Sequence, residues 1–208
     1  MSRIVIVSHY APSLTNFRGE FIKTLAAAGH QVIALGPETG FKDEVAALGA
    51  EYRQVPLQRT GMDPLQDMRT LVFLYRLLKK IKPNIVLSYA IKPVVYGSLA
   101  SWLAGVPEIY SMITGLGYLF TGNTVKQKAL LKLIYPLYRL ALNQNKVVFF
   151  QNPDDLALFR SLRLLPANRQ QIIINGSGVD VEHFVYSPAV KKPLSFLLMA
   201  RLIWDKGI

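Results

Sequence analysis

The stretch "FLLMARLIWDKGI" (196–208) runs an apolar segment into Arg201, then a short polar turn, then Lys206-Gly. This is the order of groups with which a strand–turn–helix phosphate site begins, because cations there add to the favourable field of a helix start. A second candidate is the junction "SHYAPSLTNFRGEF" (8–21). Ligands of doubly wound sheets sit at the carboxyl ends of strands, next to helix N-termini whose unpaired N–H groups favour anions. A dinucleotide loop there needs G-x-G-x-x-G, and only Gly19 is present. The loop is long for a strand–helix connection. Thr15 or Asn16 can cap the next helix. Asn16 and Arg18 are candidates for lining a cleft, a solvated Arg18 being the plainer alternative.

Two further stretches carry possible chemistry. In "SYAIKPVVYGSLASWLAGVP" (88–107), Lys92-Pro93 follows a strand and precedes a helix, which places a cation at the sheet's carboxyl edge. In "SMITGLGYLFTG" (111–122), a strand runs straight into Gly115, Gly117 and Gly122, interleaved with Leu116, Tyr118, Leu119 and Phe120. Glycines in that setting permit positive φ and close backbone approach to a ligand. The apolar residues between them either line a pocket or plug the core. The three histidines are too scattered for a metal site, and the absence of cysteine excludes disulfides, zinc–thiolate centres and thiol catalysis.

Charge narrows the partners. Between Asp67 and Asp154 there are eleven bases and one acid, Glu108, so this region holds nearly all of the +11 net charge. Such a field calls for an anionic partner: a phosphorylated ligand, an anionic lipid or a nucleic acid. No nucleic-acid motif accompanies it, so nucleic acid is not expected. In "TVKQKALLKLIYPLYRLAL" (124–142), Lys128, Lys132, Tyr135 and Arg139 fall on one helical stripe, suited to an anionic bilayer or to plain solvation, with Pro136 expected to kink the helix.

The positioning elements alternate. "RIVIV", "GHQVIALG", "EYRQV", "NIVLSYA", "EIYSMIT", "KVVFFQ" and "QQIIIN" read as strands. Between them lie helices at 17–28 (Phe21, Leu25 and Ala28 on one face), near 41–48, at 64–82 (Leu71, Leu74, Tyr75 and Leu78 at helical spacing) and later segments. The alternation predicts an α/β fold, a Rossmann-like doubly wound parallel sheet covered on both faces. From Asn175 the periodicity stops, so the expected organisation is a domain over 1–174, a linker over 175–192, and the first strand and turn of a truncated second domain over 193–208. The lone apolar strand "LSFLLMA" would have no sheet of its own.

Taken in order, "LAAAGHQV", "IKPVVYGSLASWLAGVP", "TGLGYLFTG", "NGSGVDVEHF" and "ARLIWDKGI" resemble the family 4 glycosyltransferases of GT-B fold, most of all those building bacterial surface polysaccharides and lipid-linked glycans. The resemblance implies two Rossmann-like domains across a cleft, the N-terminal one for the acceptor and the C-terminal one for the donor. It implies retaining transfer without cofactor or bound metal, from a UDP-linked nucleotide sugar to a lipid-linked or saccharide acceptor. It also makes Arg201 and Lys206 the donor-diphosphate residues. The implied setting is cytoplasmic, peripheral on the inner face of the cell membrane. This chain has Tyr89 near the place where many such enzymes carry a histidine, and their paired-glutamate motif lies in the second domain, outside these 208 residues. Residues 1–208 alone are therefore expected to be inactive. The competing expectation is a non-enzymatic module that binds an anionic membrane or a glycan.

Overall fold

In a computed structural model of the chain, seven strands lie in one parallel sheet in the order β3-β2-β1-β4-β5-β6-β7. The structure describes residues 1–58, 63–115, 125–188 and 196–198, with backbone alone for 125–130, 132 and 133. The strands are β1 (Arg3–Val7), β2 (Gln31–Gly36), β3 (Ala50–Gln54), β4 (Ile85–Tyr89), β5 (Glu108–Ile113), β6 (Val147–Phe150) and β7 (Gln170–Ile173). The helices are α1 (Pro12–Asn16), α2 (Gly19–Ala27), α3 (Lys42–Ala46), α4 (Pro64–Ile81), α5 (Ile91–Ala104), α6 (Val125–Asn143) and α7 (Pro153–Ser161). Each of the seven strands expected before residue 175 is present.

Residues of β1 and β2 are buried on both faces, which is why they read as unbroken apolar runs. Val5, Val7, Ile33 and Leu35 pack with Leu74 and Leu78 of α4, while Ile4, Ile6, Val32 and Ala34 pack with Leu14, Ile22 and Val45 of α1–α3. Near β5 and β6 a third cluster centres on Tyr138, Phe150 and Phe159, whose rings meet edge to face at 5.4 and 5.9 Å. Each fully buried large side chain of this kind contributes roughly 1.5–3 kcal/mol. Helix ends follow local chemistry. The Asp63 side chain accepts from the Leu65 and Gln66 amides ahead of Pro64, and Asn152 accepts from Asp155 N at 2.7 Å ahead of Pro153.

One expected helix differs. The helix expected over 17–28 is Gly19–Ala27, separated by Phe17 and Arg18 from the short α1 before it, and its buried face is Ile22 with Leu25, whereas Phe21 and Ala28 are exposed. Apolar residues at 21, 22, 25 and 28 permit two stripes, and packing against β2 and α3 selects the one through Ile22. Neither Thr15 nor Asn16 caps α2; its cap position is Arg18, with no side-chain hydrogen bond to the helix.

The chain divides into the compact units Met1–Gly178 and Val179–Ile208. In the second, Asp180 closes a turn by accepting from the Glu182 and His183 amides, and Phe196, Leu197 and Leu198 are exposed without strand pairing among the described residues. Most of "LSFLLMA" otherwise lies outside the described residues. No helix among the described residues is long and apolar enough to cross a membrane.

Candidate functional site

The strand order reverses between β1 and β4, and in open parallel sheets the carboxyl edge at that switch point is where ligands bind. Three loops from the strands meet there: Ser8–Tyr10 after β1, Ala90 after β4 and Thr114–Gly115 after β5.

The β1 loop is held by hydroxyls. Ser8 Oγ donates to the Tyr10 carbonyl at 2.9 Å and lies 3.0 Å from Ser13 Oγ, and Ser13 Oγ lies 2.7 Å from the Tyr89 hydroxyl. Ser8, Ser13 and Tyr89 are buried, so these bonds replace the water each group gave up. Burial pushes the Tyr89 phenol above its ordinary pKa, and hydrogen bonds from Ser13 and Ser8 and the charge of Arg18 pull part of the way back. The phenol is therefore a neutral partner at physiological pH. Behind it, Glu38 accepts from Ala11 N at 2.6 Å, and Tyr52 donates to the Glu38 carbonyl at 2.6 Å.

Arg18 sits at the break between α1 and α2 and is 6% exposed. Its Nη1 donates to the Phe17 carbonyl at 3.1 Å and to Ser177 Oγ at 2.7 Å, and its Nη2 reaches Met112 Sδ at 3.1 Å. The guanidinium carbon stands 5.1 Å from the centre of the Tyr89 ring. Nε is buried without a hydrogen-bond partner, and among the described residues no carboxylate forms an ion pair with this side chain. Burial lowers its pKa from the usual value, and Tyr89 partly opposes that. The solvated alternative for Arg18 is thus not what the fold provides.

Lys92 has a different fate. It lies inside the first turn of α5, not before the helix, and its Nζ pairs with Asp67 Oδ1 at 2.8 Å, both side chains being 16% exposed. Its charge is compensated, which weakens it as a cleft cation. The same Asp67, through a hydrogen bond and its charge, adds to burial in raising the pKa of Tyr96. Asn16 is exposed at the end of α1. Gly115 follows β5 with φ 147°, and a Cβ there would touch nothing within 4 Å, so the glycine serves conformation, not clearance. Of the surface stripe, Arg139 is exposed while Tyr135 packs partly against the core; the side chains of Lys128 and Lys132 lie outside what is described. Gly117, Arg201 and Lys206 also lie outside the described residues. Helix α6 continues through Pro136.

Sequence reasoning missed Ser8, Ser13, Ser177 and Ala90. The serines lie inside stretches that the sequence singles out, "SHYAPSLTNFRGEF" and "NGSGVDVEHF", but nothing local marks a serine there as a site residue. Ala90 has φ 68° and ψ 164°, a conformation almost confined to glycine, which an alanine does not announce.

Residues 15–176 match the glycosyl transferase 4-like domain. The chain is 24% identical over 219 residues, 99% of itself and 58% of the relative, to N,N'-diacetylbacillosaminyl-diphospho-undecaprenol alpha-1,3-N-acetylgalactosaminyltransferase of Campylobacter jejuni. It is 30% identical over 159 residues, 76% of itself and 38% of the relative, to UDP-Gal:alpha-D-GlcNAc-diphosphoundecaprenol alpha-1,3-galactosyltransferase of Escherichia coli. The sheet and its helices superpose on Anabaena HepE, solved in complex with UDP and glucose, with TM-score 0.60 and 12% identity, covering 90% of this chain and 47% of that one. The chain spans about half the length of the curated relatives it matches. With the domain match running from the end of α1 to the residues after β7, and with the parallel sheet of one half of a GT-B enzyme, the chain belongs to the glycosyl transferase 4-like family.

Proposed function

We propose that this chain is the acceptor-side half of a sugar transferase of bacterial glycan biosynthesis, acting from a UDP-linked sugar on a lipid-linked or saccharide acceptor. The observation that carries this reading is the polar cluster at the switch point. Ser8, Ser13, Tyr89 and Arg18 are gathered, buried and mutually oriented, at the edge where a parallel sheet receives ligands. The acceptors printed in the names of both relatives are diphospho-undecaprenol-linked, which supports a lipid-linked one here.

Among the described residues no carboxylate hydrogen-bonds to the Ser8, Ser13, Tyr89 or Arg18 side chains, Glu38 being held by Ala11 N, so this half works by holding the acceptor hydroxyl in line and excluding water. Departure of the nucleoside diphosphate is assisted by Arg201 and Lys206, with no metal involved. Retention of anomeric configuration is the stereochemistry proposed; both relatives form alpha linkages, and an alpha product from an alpha-configured sugar nucleotide is retention. The protein would work from the inner face of the cell membrane as a peripheral enzyme, with Lys128, Lys132 and Arg139 toward anionic lipid.

Co-sedimentation with vesicles, with and without a sugar-diphospho-undecaprenol, tests the acceptor role. Residues 1–208 are expected to be retained more strongly when the acceptor is present and to yield no labelled glycolipid from radiolabelled UDP-sugars. Indifference to the acceptor overturns the acceptor role, and labelled product from residues 1–208 alone overturns the division of labour.

A further inference from the structure

We propose that Arg18 and the first turn of α5 form a binding site for a phosphate or diphosphate group at the carboxyl ends of β4 and β5. That the group belongs to an acceptor or donor of sugar transfer rests on the reading above; the anion site itself rests on the following geometry.

A guanidinium has five N–H donors. In Arg18 two bonds go to neutral oxygens, of Phe17 and Ser177, and one to the weak acceptor Met112 Sδ, while Nε has none. The residue is 6% exposed and no acid among the described residues faces it, Tyr89 being the one titratable neighbour that acts on its charge. Desolvating a cation costs several kcal/mol, and neutral acceptors offset only part of that. A cation kept buried on those terms has unused donors and unused charge.

The start of α5 has the same sign and the same surroundings. The helix is fourteen residues long, yet no side chain caps it. The amides of Ile91 and Lys92, Pro93 having none, and the aligned dipoles of the helix favour an anion. The cap position, Ala90, sits between Tyr89, whose ring faces the Arg18 guanidinium, and Ile91, where the helix begins; Ala90 N donates to the Met112 carbonyl at 3.2 Å. Tyr89 and Met112 are register partners on β4 and β5, so Arg18 and the start of α5 share both neighbours. Two positive groups thus share Tyr89 and Met112 as neighbours, and among the described residues no carboxylate hydrogen-bonds to either, Glu38 acting on Tyr89 through its charge alone. Ser177 Oγ, on an exposed segment that also receives Gln151 Nε2 at 3.4 Å, is the acceptor a phosphate oxygen would replace on Nη1. Lys92 does not join, since Asp67 holds it.

The test uses the full 208-residue chain and inorganic pyrophosphate, followed by thermal unfolding and by the side-chain Nε–H resonances of arginine. Pyrophosphate is expected to raise the melting temperature and to shift the Arg18 Nε–H signal, where the same ionic strength of chloride does neither. Arg18→Gln is expected to weaken binding about 10- to 100-fold, the scale of a charge-assisted hydrogen-bonded contact, without lowering the melting temperature of the free protein, because it removes an unopposed buried charge. Equal pyrophosphate shifts in wild type and Arg18→Gln, or none in wild type, overturn the site, and so does an Arg18→Gln that melts lower while binding pyrophosphate as before. If Arg18→Gln fails to fold, Arg18→Lys, which lacks the Nε–H and so assigns the wild-type signal, is expected to give a smaller pyrophosphate-induced rise in melting temperature; an equal rise, or no Nε–H shift in wild type, overturns the site. Competition by UDP or by farnesyl diphosphate identifies the nucleotide or the lipid as source. Pyrophosphate binding that neither displaces keeps the site and counts against sugar transfer.

Discussion

Gly97 lies on α5 directly over β4, and a Cβ built on it would stand 2.2 Å from Ser88 Oγ, 3.2 Å from Ser88 Cβ and 3.8 Å from Val7 Cγ2. The Oγ is fully buried and has no hydrogen-bond partner, and it projects from a central strand that cannot retreat. Overpacking costs roughly 1–3 kcal/mol. A contact this far inside van der Waals range belongs at the top of that interval, offset by the gain of about 1 kcal/mol from replacing glycine with alanine within a helix. Gly97→Ala is therefore expected to lose about 2 kcal/mol. Ser88→Ala alone removes an unsatisfied buried hydroxyl and is expected to gain about 1 kcal/mol. In the double variant the nearest atom is the residue-88 Cβ at 3.2 Å, a tight but tolerable contact, so the penalty disappears and the helix gain remains. Urea unfolding with unchanged m-values measures all four corners of the cycle, and a coupling of about 3 kcal/mol is expected. Additive effects, or a Gly97→Ala protein as stable as wild type, would refute the close α5–β4 packing on which the position of Ala90 depends.

Other consequences are as direct. Asp67→Asn leaves the mostly buried Lys92 ammonium unpaired and should cost roughly 1–3 kcal/mol, part of which Lys92→Met restores in the double variant, both read by thermal unfolding. Tyr89→Phe keeps the ring beneath Arg18 but loses the 2.7 Å contact with Ser13, an expected loss of about 1 kcal/mol by urea unfolding. Asp63→Ala removes the cap of α4 and should cost about 1 kcal/mol, a fall of about 2–4 °C in melting temperature for a chain of this size. Alkali should unfold the protein by way of its tyrosines. Burial raises Tyr89, Tyr96 and Tyr138, and burial with the charge of Glu38 raises Tyr52 to about 12, so the folded state holds these protons more tightly than the unfolded chain. Stability is then complete below about pH 10, the ordinary phenol value, and lost as pH rises through the folded values; absorbance at 295 nm and melting temperature should change together.

The sheet was legible because buried parallel strands must be apolar on both faces, and "RIVIV" and "QVIALG" leave no other reading at that length. The helices followed from apolar residues at helical spacing, such as Leu71, Leu74, Tyr75 and Leu78, a pattern that is local. The face of α2 was not legible, since Phe21 and Ile22 are adjacent and equally apolar; only packing against β2 and α3 chooses between them. The site was half legible. Position after strands sets Arg18, Lys92 and Gly115 at the carboxyl edge of the sheet, and the structure has them there. Whether each charge is paired depends on Asp67 and Ser177, residues 25 and 159 positions away in the chain, and no local pattern encodes such partners.

Pairing and burial decide which of the basic residues can select a ligand. The eleven bases between Asp67 and Asp154 dominate the net charge, yet Lys92 and Lys146 in that set are already held by Asp67 and Glu108, and Arg69, Arg76, Lys79, Lys80, Lys82 and Arg139 are exposed. An exposed cation is screened within roughly 8–10 Å at physiological ionic strength and contributes to attraction more than to selection. Arg18 lies outside that cluster and adds one unit to the sum, but it is desolvated, faces no acid among the described residues, and has donors left over. A ligand oxygen that meets it exchanges poor acceptors for a full anion in a water-poor setting, where the same Coulomb attraction is several times stronger than at the surface. Raising salt should therefore weaken vesicle binding through the exposed bases much more than pyrophosphate binding through Arg18. Parallel salt titrations of the two, falling with the same slope, would show that the surface field and not the buried guanidinium selects the anion.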